Sequence, residues 1–579
     1  MLTGNTSCAA SVIFLWLVTS VALVKAVDNI EGNATAVEKP IRQSQSLCAG
    51  EQEYVDERKQ VVLESLNRLG INCSADSVPH MALLGSGGGQ RAAVGLMGSL
   101  YQMKKEDLLD TLLYLGGVSG STWSMTSIYS DPQWSTNVDA AVSRLSGPGV
   151  DLDYALVWLD EKAKEEYFSL TDVWGVLTSA GIMKQMDLRH LSDEMYRNAT
   201  NPYPIYSAME NDCSTGNWFE MSPHEAGFTE LDVFIETSLL GSKFKNGELL
   251  EKMPEMDIVQ LQGILGCALA DKQAIINYIP AWLKEAEFRD AAAEEYLRVY
   301  NIQDQFLDLT RSTINDPVAL SELDQLQKLL EEYVNQDKTA MLLSRSTEET
   351  RSLFQGWSLG LVNTVETWSH SLENATLKTH ATLLTKYVLP KILKWEWGTT
   401  ANFLHQYQDS TVPSCLSSNE RIHLVDAGFL INVGYPPFLG DKRDIDLIIA
   451  PEYSAGNMFE TLTLARDHAA EMKMPFPEID DKILEDRDWP KDCYVFEGKE
   501  NEPTIIYLPL FNRQNCKDAK EFKVRMDDFS TFQRPYSQEK IESLLEVAKA
   551  NIKNNKETLL REINKAVLRR HNKRSSVLN

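Results

Sequence analysis

In the stretch YLGGVSGSTW, residues 114–123, Ser119 stands between Gly117 and Gly120 at the end of an apolar run. A serine on a sharp turn from strand to helix is the arrangement of a nucleophile elbow, because small neighbours let the backbone lift the hydroxyl clear of a sheet. GVSGS follows the elbow pattern G-x-S-x-G for four letters, and Ser121 replaces the last glycine. A hydroxyl in an ordinary tight bend fits the same letters.

A second stretch, GSGGGQRA at 85–92, resembles a phosphate cradle but has no G-K-[ST] ending, and Gln90 occupies the last glycine position of a G-x-G-x-x-G counted from Gly85. Nucleotide binding is therefore disfavoured. Three successive glycines instead offer amides that can converge on an anion at the amino end of the next helix, and a tetrahedral oxyanion is one such anion. A plain strand-to-helix turn is the alternative.

A serine nucleophile needs a base. Nine histidines are spread from His80 to His571, and none has the late-loop context of a Ser-His-Asp triad. His468 falls at helical spacing and His423 alternates into a strand. Asp426 follows a buried strand and precedes Ala427 and Gly428, so it sits on a tight turn. A carboxylate is a weak base, adequate for expelling an alkoxide from an ester and poor for expelling an amide nitrogen. The turn would also suit Asp426 as a capping residue.

The surrounding pattern must place these groups. EYVDERKQVVLESLNRLG predicts a helix closing on Gly70, Met81–Leu84 a buried strand, and Arg91–Met103 a helix with small residues on one side. TLLYLGG and STWSMTSIY repeat strand, turn and helix. Two such units predict an α/β fold: a three-layer, mostly parallel central sheet with flanking helices and active loops at the strands' carboxyl ends. His423–Val425 and Asp446–Ala450 read as further buried strands. Residues from about 270 to 410 are mostly helical in pattern and read as a helical cap insertion, with an independent helical domain as the alternative.

The chain has 579 residues, 43% of them hydrophobic and 24% charged, which describes a globular body. A net charge of −27 argues against nucleic acid as a partner. Eight cysteines include no C-x-x-C pair, so neither a zinc site nor a dense disulfide scaffold is read, and no metal site is predicted.

Residues 8–24 carry no charge and fit a signal peptide or a membrane anchor ending near residue 27. Residues 28–50 read as a linker, and sequons stand at Asn5, Asn33, Asn72, Asn198 and Asn374. Residues 541–579 form a basic amphipathic tail, suited to a membrane surface or to docking on the body.

GSGGGQRA, GGVSGSTW, FEMSPHEAGF, LQGILGCALA and LVDAGFLINVGYPPFL, in this order, resemble the catalytic domain of the cytosolic phospholipase A2 family, which is similar to fungal lysophospholipases. The resemblance spans 51–540 and implies a patatin-like fold and a serine–aspartate dyad hydrolase, active on phospholipid or lysophospholipid esters at a membrane surface. It implies Ser119 as nucleophile, Asp426 as its activator, Gly88 and Gly89 as oxyanion donors, and Arg91 and Arg443 as contacts to the substrate phosphate. Asp441 or Asp444 could instead take Arg443 in an ion pair. No cofactor is implied: about 50 residues precede the domain, too few for the family's calcium-binding module. The shorter gamma-type members are most similar, though their C-terminal lipidation motif is missing. A Ser-His-Asp esterase and a catalytically silent lipid-binding protein are the competing readings. The leader points to the secretory pathway or a membrane anchor, the resemblance to the cytosol.

Overall fold

A computed structural model describes residues 40–267 apart from 214–215, the helix Pro317–Leu342, a few further positions between 311 and 391, and 396–577 apart from 532–534. The leader and most of the expected cap lie outside the described residues. Residues 41–579 form one compact unit.

Fourteen strands are described: β1 (Ile41–Gln43), β2 (Met81–Gly85), β3 (Tyr114–Gly117), β4 (Tyr203–Glu210), β5 (Asn217–Met221), β6 (Glu225–Phe228), β7 (Val233–Glu236), β8 (Lys243–Lys245), β9 (Glu248–Glu251), β10 (Thr399–Ala401), β11 (Arg421–Asp426), β12 (Leu447–Glu452), β13 (Tyr494–Phe496) and β14 (Thr504–Pro509). All but the β8–β9 hairpin join one sheet in the order β1-β7-β6-β5-β4-β3-β2-β12-β14-β13, with β10 and β11 attached through β4. The central run β4-β3-β2-β12-β14 is parallel, as the strand-turn-helix pattern predicts. Its apolar strands MALLG, LIIAPE and TIIYLP are buried along their whole length, the signature of strands covered on both faces. The antiparallel flank β5–β7 is less evident in the sequence, because FEMSPHEAGF folds as a short hairpin.

The described helices include α1 (Ala49–Arg68), α2 (Gln90–Lys105), α3 (Gly120–Ile128), α4 (Ile258–Leu265), α5 (Pro317–Leu342), α6 (Glu460–Met472), α7 (Gln538–Asn554) and α8 (Lys556–Val577). Gly70 ends α1 with φ +76°, as the sequence predicts. The chain leaves β2 toward β3 and β12 toward β14, so the strand order reverses between β2 and β12. Right-handed crossovers running opposite ways place α2 and α6 on opposite faces, and a crevice opens at this switch point. On α2, Gly95 faces the Tyr453 ring and Gly98 faces Leu545 and Ala548 of α7, so the small side lets both approach.

Three boundaries differ from the sequence reading. β1 pairs with β7 and α1 begins at Ala49, so the end of the expected 28–50 linker is part of the fold. The sheet resumes at Thr399, so the insertion closes before residue 410. The basic tail is integral: α7 packs on α2, and α8 buries Leu559, Ile563 and Val567 while Arg570 donates to Asp446 at 2.7 Å and Lys573 to Asp444 at 2.8 Å. These basic side chains meet acidic partners on the body, which favours docking over the membrane-surface alternative.

Cys213, just beyond β4, is joined to Cys415, shortly before β11, with Cα atoms 5.6 Å apart. No described helix is long and apolar enough to cross a membrane.

Candidate active site

β4 explains how residues 307 positions apart meet. Gly117 of β3 pairs with Tyr206, and Asp426 of β11 pairs with Ala208. Phe219 of β5 holds the other edge of Ala208, so β11 must share the edge that β3 occupies. β3 runs parallel to β4 and β11 antiparallel, so their carboxyl ends face each other along one edge, two β4 residues or about 7 Å apart. Val118 and Ser119 turn in that gap. The sequence pattern sets Asp426 on a turn after a buried strand in a mostly parallel sheet; the strand in fact enters antiparallel, and only this lets its last residue face the turn after β3.

Ser119 caps α3 with φ +53° and ψ −128°, a backbone conformation costly for any residue with a Cβ. The turn is held from behind: Thr122 N donates to the Ser119 carbonyl at 2.9 Å, and Ser121 Oγ donates to the carbonyl of Ser86 at 2.6 Å. Ser121, the departure from the elbow pattern, thus ties the turn to the glycine loop. A Cβ on Gly120 would overlap the Gly89 carbonyl oxygen, so the two loops touch backbone to backbone.

The glycine loop lies at the switch point. Ser86 N donates to the Pro451 carbonyl at 3.4 Å and Gly87 N to the Asn432 carbonyl at 2.8 Å. Among the described residues the amides of Gly88 and Gly89 meet no internal acceptor, and Gly89, with φ +59°, caps α2. Both stand where the α2 amino end carries partial positive charge.

Asp426 is 1% exposed, and its Oδ1 accepts from Gly428 N at 2.9 Å. Oδ2 is buried without a hydrogen-bond partner. Burial pushes the carboxyl up to about 7, against the opposing pull of the nearby Ser119 hydroxyl and the Gly428 amide. The hydroxyl is thus near enough to act on the carboxyl electrostatically, while Oδ2 keeps room for a proton. The buried Cys267 thiol lies alongside, its own pKa raised by burial and then by the Asp426 charge.

The arginines are placed differently from the sequence reading. Arg91 is fully buried, donating from Nε to the Tyr453 carbonyl at 2.7 Å, from Nη1 to the Phe529 carbonyl at 2.5 Å and from Nη2 to Thr531 Oγ1 at 3.3 Å. It braces the glycine loop across the β2–β12 crevice. Arg443 is 3% exposed and forks onto Glu51 at 2.8 and 3.0 Å, onto Glu220 at 2.8 Å and onto the Pro437 carbonyl at 2.8 Å. Its partners are neither Asp441 nor Asp444, and with both carboxylates bound the guanidinium is not presented to a substrate phosphate. Burial alone would raise Glu220, but the charges of Arg443 and Lys442 hold it down to about 2.

Five of the described histidines are engaged elsewhere: His80 with the Arg443 carbonyl, His224 with Tyr203, His423 with Asp212, His468 with Glu230 and His571 with Ser77. Among the described residues no His, Cys, Asp and Glu cluster could hold a metal ion.

The architecture can be compared with known proteins. Residues 154–315 match the lysophospholipase catalytic domain family. The chain is 31% identical to cytosolic phospholipase A2 gamma of Mus musculus over 566 residues, covering 90% of this chain and 91% of that protein. The chain belongs to the cytosolic phospholipase A2 family. The human gamma protein is also 31% identical, over 89% of this chain and 94% of its own. In fold, the chain resembles human GIVD cytosolic phospholipase A2 with a TM-score of 0.62 at 22% identity, over 92% of this chain and 66% of that one. The same human protein has been solved in complex with methyl gamma-linolenyl fluorophosphonate, with a TM-score of 0.59 to this chain.

Two neighbours of the site escape a sequence reading. Asn432 has its carbonyl on Gly87 N and its Nδ2 donating to Ser454 Oγ at 2.6 Å, and Cys267 lies beside Asp426. Asn432 falls in the block LVDAGFLINVGYPPFL and Cys267 in LQGILGCALA, but nothing in their spacing distinguishes them from loop and helix-end residues.

Proposed function

We propose that this member of the cytosolic phospholipase A2 family hydrolyses the acyl esters of phospholipids and lysophospholipids at a membrane surface through a Ser119–Asp426 dyad. One observation carries the reading: the ends of β3 and β11 meet head to head, setting a strained serine beside a buried carboxyl with an unpartnered oxygen.

Ser119 Oγ attacks the ester carbonyl as its proton passes to Asp426 Oδ2. The carbonyl oxygen becomes an oxyanion between the Gly88 and Gly89 amides, at the amino end of α2. Collapse breaks the ester C–O bond, and the Asp426 proton goes to the departing glycerol oxygen. A water molecule then attacks the acyl-serine while Asp426 takes its proton, and the fatty acid leaves as Ser119 Oγ is reprotonated. A carboxyl near pH 7 is a far better proton acceptor than one near 4, and ester cleavage needs no stronger base. Arg91 acts as a positioning residue, holding the loop that carries the amides.

Purified full-length chain should release fatty acid from phosphatidylcholine or lysophosphatidylcholine micelles and react covalently with an alkyl fluorophosphonate. Ser119→Ala and Asp426→Ala should abolish both. An Asp426→Ala variant with full rate would overturn the dyad, and absence of hydrolysis with no labelling would overturn the enzymatic reading.

A further inference from the structure

Two features lie outside the proposed chemistry: an exposed sequon and a closed cysteine pair. Asn198-Ala199-Thr200 occupies the loop leading into β4. The Asn198 side chain is exposed, and Thr200 Oγ1 donates to Asn198 Oδ1 at 2.8 Å while Thr200 N donates to the Asn198 carbonyl at 2.9 Å. The hydroxyl therefore holds the carboxamide oxygen, and Nδ2 has no acceptor among the described residues. The loop is anchored on both sides, with Arg197 donating to the Tyr129 carbonyl and Arg58 to the Thr200 carbonyl. A sugar on Nδ2 would project into solvent without disturbing those anchors.

The placement also spares the site. Asn198 precedes the amino end of β4, Ser119 follows the carboxyl end of β3, and the two strands are parallel. They thus lie on opposite rims of the sheet. A second exposed sequon, Asn72-Cys73-Ser74, stands on the connection into β2, another parallel strand. Independently, Cys213 and Cys415 are joined across 202 residues, and such bonds persist in oxidising compartments and are rare where glutathione keeps thiols reduced.

We propose that Asn198 is a site of N-linked glycosylation, acquired in an oxidising lumen where Cys213 and Cys415 are joined. The donor is an oligosaccharide on a polyprenyl diphosphate. Asn198 Nδ2 forms a bond to the anomeric carbon and loses one proton, the bond from that carbon to the phosphate oxygen breaks, and the polyprenyl diphosphate leaves. The two thiols give up two protons and two electrons to a disulfide-bearing oxidoreductase, which becomes a dithiol. The assignment agrees with the signal-peptide reading of the leader and departs from the cytosolic naming of the relatives.

The test is to make the full chain in animal cells, collect cells and medium, block free thiols with an alkylating reagent, and map peptides by mass spectrometry. Peptide N-glycosidase in heavy-oxygen water should convert Asn198 to labelled aspartate, and Cys213 and Cys415 should appear in one linked peptide. Asn198→Gln and Thr200→Ala should each remove one glycan, and Thr200→Ser should keep it. An unmodified Asn198 in the wild-type map overturns the proposal even if a variant fails to fold. So does a glycan on Asn72 alone, or Cys213 and Cys415 both recovered as alkylated thiols. None of these results bears on ester hydrolysis, which the fluorophosphonate assay measures separately.

Discussion

Replacing Asp426 by asparagine should make the protein more stable at pH 8 while abolishing its activity. In the folded chain burial raises this carboxyl from 3.8 to about 7. A group whose folded pKa lies above its unfolded value holds its proton more tightly when folded, so its contribution is fully present below the unfolded value and lost as pH rises through the folded one. A shift of about three units corresponds to about 4 kcal/mol. Wild type at pH 8 therefore carries a burden of about 4 kcal/mol relative to a neutral isostere, against about 2 kcal/mol at pH 5. Asparagine has the same shape and no charge to bury. Urea unfolding followed by tryptophan fluorescence, with wild type and Asp426→Asn compared at both pH values, should show the variant's advantage wider at pH 8 by about 2–3 kcal/mol. Fatty acid release should be lost at both. An advantage that does not change between pH 5 and pH 8, or a variant that retains hydrolysis, would refute the reasoning.

The same ionisation should govern catalysis: kcat/KM should rise with pH through a single step near 7 and be about 100-fold lower at pH 5 than its plateau, which a micellar fatty-acid assay over this range would show. Ser119→Gly should be inactive yet gain about 1 kcal/mol of stability, since glycine accepts φ +53° without strain; a loss of stability in thermal unfolding would contradict the strained turn. Arg443→Met leaves Glu51 buried without its cation and Glu220 with Lys442 alone and should cost about 3–5 kcal/mol, with KM in the surviving fraction unchanged; a raised KM at wild-type stability would return Arg443 to phosphate binding. Gly120→Ala should separate the elbow from the glycine loop, because its Cβ falls on the Gly89 carbonyl, and labelling by fluorophosphonate should fall at least tenfold.

Local chemistry was legible wherever a few neighbouring residues decide it. The glycines around Ser119 permit the turn, the short apolar runs ending at Gly85 and Gly117 read as buried strands, and Gly70 closes a helix; each is a statement about φ, ψ and side-chain size within a handful of positions. The five blocks in order were enough to indicate the family. The ion pairing of Arg443 was hidden for the complementary reason. Its nearest carboxylates in sequence are Asp441 and Asp444, whereas its partners Glu51 and Glu220 come from α1 and β5. Likewise the tail's basic charge looks like a free surface until Asp444 and Asp446 are placed beneath it.

Residue types and short-range spacing thus singled out by themselves the candidates for attack, for accepting a proton and for donating to an anion. The tertiary structure alone decided that Ser119 and Asp426 meet, because that depends on β11 entering antiparallel along the same edge of β4 as β3, on the stretch beyond β3's last pair. It alone decided that burial pushes the Asp426 carboxyl up to about 7, since a carboxyl's pKa is set by the dry surroundings that distant segments supply. Strand direction and desolvation are properties of long-range packing, and no local pattern of residues encodes them.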